Sequence, residues 1–235
     1  MTKERPILFS APMVREILEG RKTQTRRVVK PAFGKNRPIE NLSEHANDGE
    51  YSGRLNDPAS WGYPYAEDGG HIDLESWADI LCPYGKPGDR LWVRESFSVE
   101  SAFPGWESSS EAGFDFAEGA ARVLYPADGA QINHDGLGIR EDGVDEGQQA
   151  VRLSKKKTTP SIHMPRWASR ITLEITEVRV ERLQDISEID ARSEGYPYGE
   201  LSGAYDWFAD LWKSINGQES WKANPWTWVI EFNKI

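Results

Sequence analysis

The 235-residue chain has one cysteine, Cys82, which excludes an internal disulfide and a paired-cysteine zinc knuckle. Its four histidines, His45, His71, His134 and His163, stand far apart with no partner at ligand spacing, so no metal is expected. No apolar run approaches the roughly 20 residues that span a bilayer, and no membrane partner is expected. The N-terminus carries no apolar signal-peptide core, which makes the cytoplasm the default setting. A glycine loop of the kind that cradles phosphate is missing. The Gly-x-Ser-x-Gly elbow of serine hydrolases is missing too, which removes the commonest acyl-transfer route. No cofactor is implied, and no internal repeat occurs.

Basic charge is also in short supply. The net charge of −10 argues against a protein that coats nucleic acid without specificity. The distribution is uneven, however. Residues 40–80 hold ten acidic and one basic side chain, and residues 101–150 hold ten acidic and two basic, so together they carry −17 and leave +7 elsewhere. The remainder also holds most of the regular apolar patterning. The expectation is therefore a single domain whose mildly basic core (1–39, 81–100, 151–235) is interrupted by two acidic insertions, 40–80 and 101–150.

Several elements can be read from spacing. Ser10, Pro12 and the stripe Met13, Val14, Ile17, Leu18 predict a helix that Gly20 stops. Beyond it, Lys22, Gln24 and Arg26 alternate with Thr23, Thr25 and Arg27 as in a strand. Residues 31–80 predict a long excursion with a short helix near Leu74–Ile80. The turn Gly85-Lys86-Pro87-Gly88-Asp89 precedes a strand over Arg90–Phe97. Its second face sets Trp92 between Arg90 and Arg94, either as a cover over the core or as a cationic aromatic wall. Within 98–150 only Ala121–Tyr125 reads as a strand, and 136–149 is too acidic and glycine-rich to pack well. Lys155-Lys156-Lys157 reads as a solvated charge run, with a phosphate-binding role as the alternative.

After Pro160 the pattern sharpens. Arg170–Glu181 alternates as a long strand with a phase shift near Thr176, which predicts a bulge. Ser187 with Asp190 forms a capping-box variant, giving a short helix closed by Gly195. Glu194 falls in its last turn, against the negative end of the helix dipole, and so asks for a reason. A helix over Tyr205–Ile215 and a final strand with Trp226, Trp228, Ile230 and Phe232 complete the chain.

The stretch Leu18–Arg27 concentrates four cations and two hydroxyls in an acidic chain, which marks it as an active or binding strip. The plainer alternative is that Arg21 and Lys22 only complement the preceding helix dipole.

The pattern Gly20-x-Lys22-x-x-Thr25-x-Arg27, followed by Lys86-Pro87-Gly88-Asp89 and a strand, resembles the ASCH domain family of the PUA-like superfold. The resemblance implies an α+β fold, a small β-barrel with flanking helices, and a cleft for RNA or a nucleoside. Thr25 stands where many members carry glutamate. In this the strip is similar to bacterial ASCH amidohydrolases that remove the acetyl group from N4-acetylcytidine, whose Ile-Leu-x-Gly-Arg-Lys-Thr-x-Thr-x-Arg is matched from Ile17 to Arg27. Those enzymes place a catalytic glutamate in the short helix after the central strand, and an ungapped comparison puts Glu194 there. The wider pattern, including Ser161–Arg170, resembles larger ASCH-type proteins of phages and prophages.

Lys22, Thr25 and Glu194 suit amide hydrolysis without a metal. A lysine kept partly neutral by burial and by the cations Arg21 and Arg26 takes the proton of a threonine hydroxyl or of water, and a glutamate orients it or relays the proton. Arg26 or Arg27 steadies the oxyanion or a base carbonyl. The competing class is a non-catalytic reader of RNA, single-stranded nucleic acid or a modified base, binding with Arg21, Arg90, Trp92, Arg94 and Trp167. Oligomeric state is not legible in the residues.

Overall fold

The computed structural model describes residues 2–29, 82–103, 119–199 and 202–235, together with the backbone of strands at 40–41, 61–64, 77–80, 106–110 and 113–117. The chain divides into two compact units: Met1–Glu4, Glu19–Arg90 and Leu173–Ile235 form one, and Arg5–Leu18 and Leu91–Thr172 form the other. The fold is mixed α and β, and among the described residues no closed barrel forms. No helix among them is long and apolar enough to cross a membrane.

The elements from the start of the chain are β1 (Glu4–Leu8), α1 (Ala11–Leu18), β2 (Gln24–Val28), β3 (Glu40–Asn41), β4 (Trp61–Pro64) and β5 (Trp77–Ile80). Helix α1 follows the spacing: the Val14 amide donates to the Ser10 carbonyl, Val14 and Ile17 are buried, and Gly20 lies beyond the end at φ +76°. Strand β2 departs from simple alternation, because Gln24, Thr25 and Arg26 are all buried. Residues 77–80 are a strand and not part of a helix, paired antiparallel with Trp61–Pro64. The ladder with Trp61–Pro64 satisfies their backbone, and Trp77 and Ile80 are of the types that favour a strand. The rest of the expected helix, 74–76, lies outside the described residues.

Next come β6 (Arg90–Arg94), β7 (Ser98–Phe103), β8 (Trp106–Ser110), β9 (Gly113–Ala117), β10 (Gly119–Tyr125), β11 (Ala130–Leu137) and α2 (Glu146–Ser154). The turn before β6 is held by Asp89, whose carboxylate accepts from the Lys3 and Lys86 amides. β6 ends at Arg94 instead of Phe97, which forms an isolated bridge with Thr159.

The second unit corrects the reading of residues 98–150. Strands β11, β10 and β7 form an antiparallel sheet in that order, and β8 pairs with β9. The buried faces of this unit include Phe97, Val99, Val123, Tyr125, Leu153 and Met164. Most of the stretch 136–149 is exposed, as its composition suggested, with Leu137 and Gly147 buried within it. Asp145 caps α2 by accepting from the Gln148 amide at 2.9 Å. An acidic residue there satisfies an orphan donor at the helix start, so the acidity that suggested poor packing is partly a cap. Lys155, Lys156 and Lys157 are exposed just past α2, as a solvated run should be.

The chain ends with β12 (Thr172–Arg182), α3 (Glu188–Ser193), α4 (Ala204–Asn216), α5 (Gln218–Lys222) and β13 (Trp226–Lys234). In the first unit β12, β13 and β2 are consecutive antiparallel neighbours, with Val180 opposite Trp228 and Ile230 opposite Thr25. The register slips between Ile175 and Glu177, where the phase shift predicted a bulge. Helices α3 and α4 enclose Leu183, Ala191, Tyr196, Phe208 and Trp212. The Ser187 hydroxyl accepts from the Asp190 amide at 3.0 Å, and Gly195 follows at φ +106°.

Gly119 is confined on three sides: a Cβ there would stand 2.9 Å from the Leu137 and Phe103 carbonyl oxygens and 3.0 Å from the Gly147 Cα. All three are backbone atoms that cannot swing away. Gly119→Ala should therefore cost about 1–3 kcal/mol by overpacking. Gly138→Ala, where nothing lies within 4 Å, should stay within about 0.5 kcal/mol of wild type. Thermal melts of the two variants side by side check this.

Candidate active site

Lys22 precedes β2 and forms an isolated antiparallel bridge with Glu194, just past the end of α3. The Thr23 amide donates to the Ser193 carbonyl at 2.8 Å, and the Phe232 amide donates to the Thr23 carbonyl at 2.9 Å. These bonds lock the chain between α1 and β2 onto both α3 and β13. Arg21 and Thr23 are exposed, while Lys22 and Gln24 are buried. The alternation thus sends Lys22 inward.

Both partners are nearly inaccessible, Lys22 at 2% and Glu194 at 4% of full exposure. The Lys22 ammonium donates three hydrogen bonds: to Glu194 Oε2 at 2.6 Å, to the Glu194 carbonyl at 2.8 Å and to the Gln24 carbonyl at 2.8 Å. Burial pushes the Lys22 amine below its ordinary value, the charge and hydrogen bond of Glu194 oppose that, and Arg27 and Arg26 push the same way as burial. The second cation is Arg27 and not Arg21, whose side chain is half-exposed and paired with Glu19. The unfavourable position of Glu194 at a helix end now has its reason: the ammonium offsets the dipole there.

Arg26 is held by carboxylates. Its guanidinium is fully buried, with Nη2 at 2.6 Å from Glu181 and 3.5 Å from Asp190, and Nη1 at 4.0 Å from Glu194 Oε1. With its amide oxygen and nitrogen exchanged, the orientation that satisfies both neighbours, Gln24 donates to Asp190 at 3.0 Å and accepts from Arg26. Arg179 then ties Glu181, Asp190 and Glu231 together. Burial lowers the basicity of Arg27, against Tyr84 and Glu194, which raise it. Thr25 is buried on β2 opposite Ile230, and among the described residues no side-chain hydrogen bond joins it to Lys22 or Glu194. Glu194 Oε1 is buried with no hydrogen-bond partner.

Arg90 is exposed and belongs to the first unit, where its amide donates to the Lys3 carbonyl. Trp92, Arg94 and Trp167 belong to the second. Trp92 is buried, and the Arg94 guanidinium lies 4.7 Å from its ring centroid, as the cover reading has it. The Trp167 indole N–H donates to Gln149 at 2.9 Å, and its ring meets His134 edge-on.

Glu181, Asp190 and Arg179 escaped the reading of the sequence. Glu177, Arg179 and Glu181 repeat at period two on β12, a charged row that marked one face of the strand. Asp190 was visible only as a capping residue, because its amide serves the cap while its carboxylate turns to Arg179. Tyr196 and Tyr198 carried no signal. With Arg21, Thr23 and Arg192 they line a cavity of about 550 Å³ whose lining does not include Lys22.

Compared with family models, with curated proteins and with solved structures, the chain matches none.

Breaking a buried pair by removing one member leaves a charge without compensation. Lys22→Met should lower stability by about 3–5 kcal/mol, and adding Glu194→Leu should recover part of that loss. Urea unfolding at constant m-value checks both. Because the folded-state value of Lys22 lies below its unfolded value of about 10.4, the unfolded chain holds more protons between the two. Wild-type stability should accordingly gain on that of Lys22→Met as pH rises through this window.

Proposed function

We propose that the protein is an amidohydrolase of the ASCH type, cleaving the acetyl group from N4-acetylcytidine or a related N-acylated nucleoside or nucleotide. In this reading the strands belong to a PUA-like barrel, and the chain is a larger relative of the phage and prophage type. The observation that carries it is the direct contact between Lys22 and Glu194, 2.6 Å apart and closed off from water. A strand entry and a helix end 172 residues apart supply an amine and a carboxylate in one buried spot. That is the equipment for moving a proton during amide cleavage.

The environment supports the same chemistry. Low exposure strengthens every charge interaction in the site, and the cationic surroundings from Arg26 and Arg27 favour developing negative charge. Thr25, on the strand that Lys22 introduces, supplies a hydroxyl as nucleophile or as a hydrogen-bond donor to substrate. Arg26 is committed to Glu181 and Asp190, and the oxyanion role stays with Arg26 or Arg27. The binding-module reading draws less support, since Trp92 is buried beneath Arg94 and the Trp167 indole is already hydrogen-bonded.

Purified protein should release acetate from N4-acetylcytidine. Lys22→Ala should lower turnover by orders of magnitude, because Lys22 and Glu194 act as one unit, and Thr25→Ala should do so only if the substrate brings the Thr25 hydroxyl within hydrogen-bond reach of that pair. Equal activity in Lys22→Ala, or an inert wild type across a panel of acylated nucleosides, would return the reader hypothesis to the front. In that case binding of single-stranded RNA that weakens with salt becomes the deciding titration.

A further inference from the structure

We infer that the cavity on the outer side of the Lys22–Glu194 bridge is a second binding site, and that it takes a small molecule in which an aromatic ring carries a phosphate or a carboxylate. The bridge sets two opposite directions. Lys22 and Glu194 are buried, whereas Arg21, Thr23 and Arg192 beside them are exposed and line the cavity of about 550 Å³ together with Ile189, Tyr196 and Tyr198. Neither Lys22 nor Glu194 lines it, so the site is separate from the candidate active site and stands without the hydrolase reading.

Charge selects the sign of the ligand. The lining holds two guanidiniums and no carboxylate, in a chain whose net charge is −10. Glu19 pairs with Arg21 from outside the lining and offsets part of its charge, which leaves Arg192 as the main attraction. Arg192 donates to the Gly199 carbonyl at 3.3 Å, one bond for a group with five N–H donors in a fixed fork. That fork matches the paired oxygens of a carboxylate or a phosphate. A cation in the last turn of α3 also complements the helix dipole, which accounts for Arg192 but leaves the exposed aromatic ring of Tyr198 unexplained.

Apolar groups supply the other half of the site. Tyr196 is an anchor: its hydroxyl donates to the Ser202 carbonyl at 3.1 Å, and its ring meets Trp207 edge-on with centroids 5.6 Å apart. Tyr198 leans edge-on against this anchored ring at 5.2 Å, yet is 64% exposed, and Ile189 in the same lining is 70% exposed. The two walls are tied to each other, since the Thr23 amide donates to the Ser193 carbonyl at 2.8 Å. A ring held in place before the ligand arrives lowers the ordering cost of binding, and it offers a surface on which another ring can pack. The volume lies within the roughly 300–1,000 Å³ of small-molecule sites, which combine aromatic walls with a few polar groups. An aliphatic anion would leave Tyr198 and Ile189 wet, and a neutral ring would leave the charge of Arg192 unused. A ring that carries an oxyanion uses both.

Phenyl phosphate and benzoate are the probes, with inorganic phosphate and phenol as the anion and the ring alone, each titrated into the full chain and followed by amide NMR. At least one of the two ring-bearing anions should saturate, with shifts gathered at Thr23, Ser193 and Gly199, and the tighter of the two identifies the anionic group. It should bind more tightly than either inorganic phosphate or phenol. Arg192→Gln should weaken it about tenfold through lost charged hydrogen bonds, and Tyr198→Ala about fivefold through the lost ring contact. Both side chains are exposed, so either variant keeps the fold. Lys222→Gln, an exposed cation of the same unit outside the lining, should leave the affinity unchanged. Absence of saturable binding by both ring-bearing anions overturns the site. Binding that survives Arg192→Gln and Tyr198→Ala intact overturns it as well, and so does inorganic phosphate or phenol binding as tightly as the molecule that joins them. None of these readouts is acetate release, so a failure of the hydrolase reading and a failure of this site are told apart.

Discussion

The contact between Lys22 and Glu194 is the constraint on which the first unit depends. Two charges withdrawn from water are expensive, and the cost is recovered only when geometry is good and the remaining donors are satisfied. Here a single ammonium binds a side-chain oxygen and two carbonyls. It thereby fixes where the chain enters β2 and where α3 stops. Placing either element a residue out of register would strand a buried charge, so the pair selects one arrangement among the many that apolar packing alone would tolerate.

Around that pair the same logic is repeated with arginine. Arg26 and Arg179 each reach Asp190 and Glu181, which come from α3 and β12, so charged groups from three elements share one cluster. The planar guanidinium suits this work because its donors are fixed relative to one another. Glu194 differs from the other acids in keeping one oxygen out of the network. This asymmetry sets Glu194 apart from Glu181 and Asp190, whose oxygens are tied to arginines.

The second unit is organised by apolar burial with its own polar anchor. Arg170 grips Glu95 through two hydrogen bonds at 2.9 and 3.0 Å, reaches Asp128, and lies over the Tyr125 ring at 4.2 Å. The Tyr125 hydroxyl donates to the Ala168 carbonyl at 2.8 Å, and burial pushes its pKa up. Acids of this unit thus serve as caps and ion-pair partners beside its apolar core.

Local elements were legible in the residues because their causes are local. The α1 stripe closed by Gly20, the Ser187 cap with Gly195, the bulge near Thr176 and the final strand each follow from spacing within a few residues. Glu194 was legible as an oddity, since its clash with the helix dipole is written in sequence. Its partner was not, because Lys22 is 172 residues away and nothing local states which cation answers it. The same distance hid the ties of Arg26 to Glu181 and Asp190, and the core that the acidic stretch 101–150 helps to build. Sequence by itself determined the periodicity of these helices and strands and the placing of their ends, through hydrogen bonds and side-chain direction within one element. Only the tertiary structure decided which charges meet away from water, because burial and pairing arise where separate elements pack, and that is where the candidate site acquires its chemistry.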